Sequence, residues 1–141
     1  MTAPDASTVP APVLVDSSAW IEFLRATGSG THVRLRGLVS KGVPIAVTEP
    51  IIFELLMGAD TDAHAEELRR FLVSFDLRPF KGVRDAERAA DIYRGCRRAG
   101  RTIRSSVDCM VAAVALRDGL PVLSADRDFE AIAEQTGLEL V

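Results

Sequence analysis

The chain has 141 residues, of which 48% are hydrophobic and 26% are charged, and its formal net charge is -3. This length is typical of one domain with a sizeable core, and the composition excludes a disordered, collagen-like or coiled-coil chain as a whole. No apolar run reaches the ~18–20 residues that would span a bilayer, and no basic segment followed by an apolar stretch indicates a secretory signal. Two cysteines, Cys96 and Cys109, are too few for a disulfide framework, so we expect a protein of the reducing cytoplasm.

Short apolar segments alternate with longer helical patterns along the chain. Residues 1–12 are rich in Pro, Ala, Ser and Thr without periodicity, and we interpret them as a flexible tail before a single domain of residues 13–141. Strands are predicted at residues 13–15, 44–47, 75–77, 121–123 and 138–141. Helices are predicted at residues 19–25, 32–39, 51–57, from 62 onward, 83–99, 107–116 and 129–135. Because strands and helices alternate, the pattern predicts βαβ units and therefore an α/β protein with a parallel sheet.

Two of the predicted helices differ in character. The helix over residues 83–99 is amphipathic, and the residues expected to face the core are Ala86, Ala89, Ala90, Ile92 and Tyr93. The helix over residues 107–116 is apolar on nearly all sides, which is typical of a buried helix, and Asp108 is the acid embedded in it.

Four acidic residues stand where a parallel sheet would bring them together. Asp16 follows the first strand, Glu54 lies in the helix after the second, Asp108 opens the buried helix, and Asp126 follows the strand at residues 121–123. The carboxyl ends of parallel strands meet at one edge of the sheet, so we expect an acidic centre there. Glu54 has apolar neighbours on both sides in the sequence, and we expect it to be the acid least exposed to bulk water.

Clustered carboxylates favour a bound cation, because burial and neighbouring like charges both raise their pKa. Mg²⁺ and Mn²⁺ prefer oxygen ligands, whereas the two histidines and the cysteine spacing do not indicate zinc. A divalent ion of this kind suits phosphodiester hydrolysis, because it lowers the pKa of its water and binds the scissile phosphate. The alternative is structural: a lone Asp after a strand is commonly a helix cap, and Asp126 with Asp128 can be turn residues. Ser17 and Ser124 can be hydrogen-bond partners of the acids or simple caps.

Five arginines precede or approach the buried helix, namely Arg94, Arg97, Arg98, Arg101 and Arg104. Helical spacing would place the first four on one basic surface that could follow the phosphates of a nucleic acid beside the acidic centre. The alternative is a solvated helix end, where cations are favourable. No aromatic residue alternates with these arginines, so contacts to the shape and backbone of a nucleic acid are expected rather than base stacking.

The acids lie in four short motifs: VLVDSSAWI around Asp16, TEPIIFELLMG around Glu54, SVDCMVAA around Asp108, and VLSADRDF around Asp126 and Asp128. In this order and spacing they resemble the PIN domain, and more narrowly the VapC-type toxins of bacterial toxin–antitoxin pairs. The resemblance covers roughly residues 13–141, and it implies a PIN-like α/β/α sandwich around a central parallel sheet.

The resemblance also implies an activity, a Mg²⁺- or Mn²⁺-dependent endoribonuclease that cuts structured RNA such as tRNA. Carried over by position, the catalytic acids would be Asp16, Glu54, Asp108 and Asp126, with Asp16 and Asp108 as metal ligands. Further acids of the metal site or of its surroundings would be Glu54, Asp126 and Asp128. The implied partners are a second copy of the chain and a VapB-type antitoxin whose C-terminal segment enters the groove.

Two other classes of function remain open from the residues. A receiver-like phosphoacceptor regulator also clusters acids at strand ends, but it needs a lysine at a strand end, and neither Lys41 nor Lys81 has that position. A non-catalytic RNA-binding or protein-interaction module is the other alternative, and the intact set of acids argues against it.

Overall fold

The computed structural model describes residues 10–141, so most of the predicted tail of residues 1–12 lies outside the described residues. The elements in chain order are β1 (Val13–Val15), α1 (Ser17–Leu24), α2 (Gly30–Ser40), β2 (Ile45–Val47), α3 (Glu49–Met57), α4 (Asp62–Val73), β3 (Asp76–Leu77), α5 (Gly82–Arg98), α6 (Ser106–Asp118), β4 (Val122–Leu123) and α7 (Asp128–Thr136). Apart from the last predicted strand, each predicted element is present, with ends that differ by a few residues.

The strands form one sheet in the order β3-β2-β1-β4, and every pair is parallel. In the centre of the sheet, Leu14 of β1 pairs with Ala46 of β2 on one side and with Val122 of β4 on the other. All residues of β1, β2 and β4 are buried, as expected for continuous apolar strands covered on both faces. The expected α/β/α arrangement around a parallel sheet is therefore confirmed.

The strand predicted at residues 138–141 is wrong in extent. Leu140 forms a single parallel bridge with Val122 instead of a strand. The amide of Val122 donates to the carbonyl of Glu139 at 3.0 Å, and the amide of Val141 donates to the carbonyl of Val122 at 3.0 Å. Because β4 itself has only two residues, it offers too short an edge for a longer ladder.

Helix α6 is buried nearly all round, as its apolar sequence predicts. Residues Val111 to Ala115 have no exposed surface. Gly119 ends the helix in the left-handed region, at a φ of 66°, which lets the chain turn at once toward β4.

The predicted inner face of α5 is wrong in part. Ala89 and Ile92 are buried as expected, but Ala86 and Ala90 are exposed. The buried stripe is completed by Asp85 and Cys96, at spacings of four, three and four residues. An acid thus occupies a core-facing position that the apolar pattern does not predict.

The core beside β1 contains an aromatic cluster. Trp20 is fully buried, and its ring lies 5.7 Å from Phe23, 5.4 Å from Phe71 and 5.2 Å from Phe75, between ring centroids. These contacts fix α1 against α4 and the start of β3, which holds the end of β1 in place. Among residues 10–141, no helix combines the length and the apolar character of a membrane-spanning segment.

Candidate active site

The acids predicted from four separate motifs come together in the folded chain. One carboxylate oxygen from each of Asp16, Glu54 and Asp108 lies within 4.8 Å of the others, and the same holds for Asp108, Asp126 and Asp128. Asp108 belongs to both groups, so the two form one continuous acidic centre. It is assembled from the end of β1, from α3, from the first turn of α6, and from the segment that joins β4 to α7.

The burial of these acids differs from the expectation. Asp16 is 1% exposed, Asp108 is 3% exposed and Asp128 is 8% exposed, whereas Glu54 is only partly buried. The prediction that Glu54 is the least exposed acid is therefore wrong. The physical reason is that the buried residues of this turn are Ile51 and Leu55, and Glu54 lies beside that stripe rather than within it.

Asp16 is held in place by two serine hydroxyls. Its Oδ2 accepts hydrogen bonds from the Oγ of Ser18 at 2.7 Å, from the Oγ of Ser124 at 3.1 Å and from the amide of Ser18 at 3.3 Å. The Ser18 Oγ also accepts from the amide of Ala125 at 3.0 Å and lies 3.0 Å from the Ser124 Oγ. These bonds join the start of α1 to the segment after β4.

Ser18 was missed by the sequence analysis, which singled out Ser17 and Ser124. A serine two residues after an acid has the signature of an ordinary helix cap, and Asp16 is indeed the N-cap of α1. The contact between Ser18 and residues 124–125 spans more than a hundred residues, so no local pattern could indicate it.

Ser17 binds a different acid. Its Oγ donates to the Oε1 of Glu54 at 2.8 Å, and this hydrogen bond connects the start of α1 to α3. Ser17 is itself buried, so the bond is shielded from water on that side. Both predicted serines therefore contact a predicted acid.

A second chain of hydrogen bonds runs through the segment after β4. The amide of Asp126 donates to the Ser124 Oγ at 2.9 Å, and the amide of Asp128 donates to the Asp126 Oδ1 at 2.9 Å. The Oδ2 of Asp128 accepts from the amide of Arg104 at 2.8 Å. Asp128 thus fixes the loop between α5 and α6 beside the acidic centre.

The electrostatics favour a bound cation. Burial, reinforced by the charge of Asp16 and by contact with Asp126, raises the pKa of Asp108 to about 9. Burial also raises the pKa of Asp16, although its hydrogen bonds from Ser18 and Ser124 oppose the shift. Burial raises the pKa of Glu54 as well, against the hydrogen bond from Ser17. At neutral pH the centre cannot hold all its negative charges without a positive partner.

The donor set fits a hard divalent ion. Oδ1 of Asp16 and Oδ2 of Asp108 are buried and have no hydrogen-bond partner. A buried carboxylate oxygen without a partner is costly unless it ligates a metal. Oxygen donors from several carboxylates are the ligands that Mg²⁺ and Mn²⁺ prefer.

The five arginines do not behave as one group. Arg104 contacts the acidic centre, with a guanidinium nitrogen 3.5 Å from Asp126 and another 3.7 Å from Asp128. The other four lie along the end of α5 and just beyond it, with these neighbours: Arg94 pairs with Asp91, Arg97 lies over the ring of Tyr93, Arg98 lines an open cavity with Arg88, and Arg101 pairs with Glu134.

The sequence matches a known family over most of its length. The PIN domain family matches residues 13–135. The chain is also 42% identical over 128 residues to VapC ribonuclease Mb1587 from Mycobacterium bovis, an alignment that covers 90% of this chain and 96% of that protein.

Solved structures share the fold. VapBC2 from Rickettsia felis, bound to a promoter DNA fragment, matches with a TM-score of 0.69 at 13% identity, over 92% of this chain and 96% of that one. VapBC-5 from Mycobacterium tuberculosis matches with a TM-score of 0.63 at 24% identity, over 94% and 98% of the two chains. The family match and the 42% identical relative together show that this chain belongs to the PIN domain family, among the VapC ribonucleases.

Proposed function

We propose that the protein is a metal-dependent endoribonuclease that acts as the toxin of a VapBC pair. The observation that carries the proposal is the convergence of acids from four distant segments around two buried, unpaired carboxylate oxygens. Such an arrangement is unfavourable for stability alone, because each acid raises the pKa of its neighbours. It is useful if the centre binds a cation and a phosphodiester.

In this proposal Asp16, Glu54, Asp108 and Asp126 are the catalytic acids, and Asp16 and Asp108 hold Mg²⁺ or Mn²⁺ directly. When bound, the ion supplies a Lewis acid for the scissile phosphate and activates the attacking water. The hydroxyls of Ser18 and Ser124 orient Asp16, and the hydroxyl of Ser17 orients Glu54.

The substrate we propose is structured RNA, with tRNA as the first candidate, in the cytoplasm. The basic residues proposed to contact it outside the acidic centre are Arg94, Arg97, Arg98, Arg101 and Arg104. A VapB-type antitoxin is the proposed inhibitor, in line with the VapBC assemblies that share this fold. A homodimer is the proposed assembly of the toxin itself.

The test is cleavage of RNA by the purified protein, followed by sequencing of the RNA ends. We expect cleavage to stop in EDTA and to return with excess Mg²⁺ or Mn²⁺. We expect Asp108→Asn to lower the rate at least about 100-fold, since even residues that only orient a metal ligand are worth about 10–100-fold.

The matched control is Asp62→Asn, which changes an exposed acid in the first turn of α4 and should leave the rate unchanged. Undiminished cleavage in EDTA, or by Asp108→Asn, would contradict the proposal. Circular dichroism should show that both variants keep the fold.

A further inference from the structure

An open cavity of about 520 Å³ adjoins the acidic centre. Its charged lining residues are Glu22 of α1, Arg104 of the loop before α6, and Asp126 and Arg127 of the segment after β4. Two guanidiniums from different loops therefore face a space that also contains a site acid. We infer that Arg127, together with Arg104, binds the phosphodiester backbone of the RNA next to the bond that is cut, an inference that rests on the proposed function.

The side chain of Arg127 is available to bind a ligand. Its side chain is exposed, and within residues 10–141 it forms no ion pair within 4 Å. Its backbone is fixed, because its carbonyl accepts a hydrogen bond from the amide of Glu130 at 3.0 Å in the first turn of α7. A fixed backbone with an uncommitted guanidinium places a cation beside Asp126 without neutralising it.

Arg127 also lines a second, smaller cavity of about 200 Å³. That cavity shares Ala125 and Asp126 with the first, and its other charged lining residues are Arg34 of α2 and Glu130 of α7. The two cavities therefore meet the same short segment, and Arg127 belongs to the wall of both. A polyanion that crosses the acidic centre would meet this arginine on either path.

Arg104 supplies the second guanidinium. Its side chain is 75% exposed, and its distances to Asp126 and Asp128 are those of loose ion pairs. Exposed pairs of this kind contribute little to stability, so a phosphate can compete for the guanidinium. The planar fork of arginine binds a phosphate through two parallel hydrogen bonds, which a single point charge cannot do.

The charge balance of the cavity agrees with an anionic ligand. Glu22 accepts a hydrogen bond from the hydroxyl of Thr27, and it is the one carboxylate in the described wall outside the acidic centre. When a divalent ion neutralises the acidic centre, two guanidiniums face this single carboxylate. The cavity that contains Arg98 lacks this arrangement, because it is lined by no acid of the centre.

The experiment measures binding of a fluorescent RNA hairpin over a range of salt concentrations, in an Asp108→Asn background that prevents cleavage. Arg127→Gln should weaken binding about 10-fold or more, as expected for the loss of a hydrogen bond to a charged group. Because log K falls as log salt rises, the variant should also make this dependence less steep, by about 0.7–0.9 in the slope, the value for one lost phosphate contact.

Arg70→Gln is the matched control, because Arg70 is an exposed arginine of α4 that lines none of the cavities beside the acidic centre. It changes the net charge equally and should leave the slope unchanged. Arg127→Lys keeps the cation and should restore most of the slope.

An unchanged slope in Arg127→Gln, or an equal loss in Arg70→Gln, would overturn the inference. Failure of the proposed function has a different signature, namely no metal-dependent RNA cleavage by the unchanged protein. The melting temperature of each variant provides the check on folding, and we expect it to stay constant because both arginines are exposed.

Discussion

At the scale of single residues, the two oxygens of Asp16 have opposite environments. Oδ2 accepts hydrogen bonds from Ser18 and Ser124, whereas Oδ1 is buried and has no partner. The bonded oxygen fixes the plane of the carboxylate, so the bare oxygen has a defined direction before any ion arrives. Ser18 is central to this orientation, since its Oγ also accepts a hydrogen bond from the amide of Ala125.

We therefore predict that Ser18→Ala lowers the rate of RNA cleavage about 10–100-fold, because partners that orient a metal ligand typically have that effect. The variant should also need more Mg²⁺ for half-maximal activity, which a titration of the rate with Mg²⁺ measures. Ser40→Ala, an exposed serine at the end of α2, is the control. A normal rate and a normal Mg²⁺ requirement in Ser18→Ala would contradict the prediction that the Ser18 hydroxyl orients the Asp16 carboxylate.

How far the site can be predicted from the sequence depends on which residues carry a local signal. Asp16 and Asp126 follow apolar strands, and Asp108 interrupts an apolar helix, so each could be found from its neighbours. Ser18 and Arg127 have no such signal. Their importance comes from contacts and cavities formed between segments that are far apart in the chain.

At the scale of elements, α6 has a charged group at each end and an apolar body. Asp108 in its first turn belongs to the acidic centre, and Arg117 in its last turn pairs with buried Asp85 of α5. Arg117 also donates to the carbonyl of Pro79 at 2.9 Å and to Asp118 at 3.0 Å. These bonds anchor the end of α6 that lies away from Asp108.

We predict that Arg117→Met lowers the free energy of unfolding by about 3 kcal/mol or more, because it leaves Asp85 buried without its charged partner. Denaturant unfolding measures the change. Arg69→Met is the control, since its pair with Glu66 is half exposed on both sides and should contribute little to stability. Equal effects of the two substitutions would contradict a special role for the buried pair.

The ion pair between Asp85 and Arg117 also explains why the predicted inner face of α5 is wrong in part. Apolar periodicity assigns alanine to the core, so it predicts that Ala86 faces inward and gives no signal for Asp85. In the structure Asp85 faces the core instead, because Arg117 of α6 compensates its charge. A compensating partner 32 residues away cannot be recognised from one helix alone.

At the scale of the whole molecule, the acidic centre makes stability depend on pH and on metal. The pKa of Asp108 rises from 3.8 to about 9 in the folded chain. The folded state therefore holds this proton more tightly than the unfolded state. Its contribution is most favourable below pH 4, and it is lost progressively as the pH rises toward 9. A divalent ion that binds only the folded state offsets this loss.

We predict that, in EDTA, Asp108→Asn melts at a higher temperature than the unchanged protein, and that the difference grows between pH 5 and pH 9. Addition of Mg²⁺ or Mn²⁺ should raise the melting temperature of the unchanged protein much more than that of the variant. Differential scanning fluorimetry measures both effects. If the difference in melting temperature between the two proteins stayed constant across the pH range, the charge of Asp108 would not destabilise the folded protein, and the prediction would be wrong.

The parallel sheet itself could be predicted, because continuous apolar strands alternate with helices. The terminal strand could not, because Leu138 to Val141 has the composition of a strand and its length is limited by β4, not by its own residues. Composition indicates which segments prefer an extended form. The length of the neighbouring edge decides how many residues can pair.

The pairing of β4 with β1 joins the last strand of the sheet to the first. While the polypeptide is being translated, β1, β2 and β3 are made long before β4, and Asp126 and Asp128 come later still. The acidic centre cannot assemble until the segment that contains Asp126 and Asp128 has left the ribosome. During synthesis, the nascent chain therefore passes through a long stage in which the set of acids is incomplete.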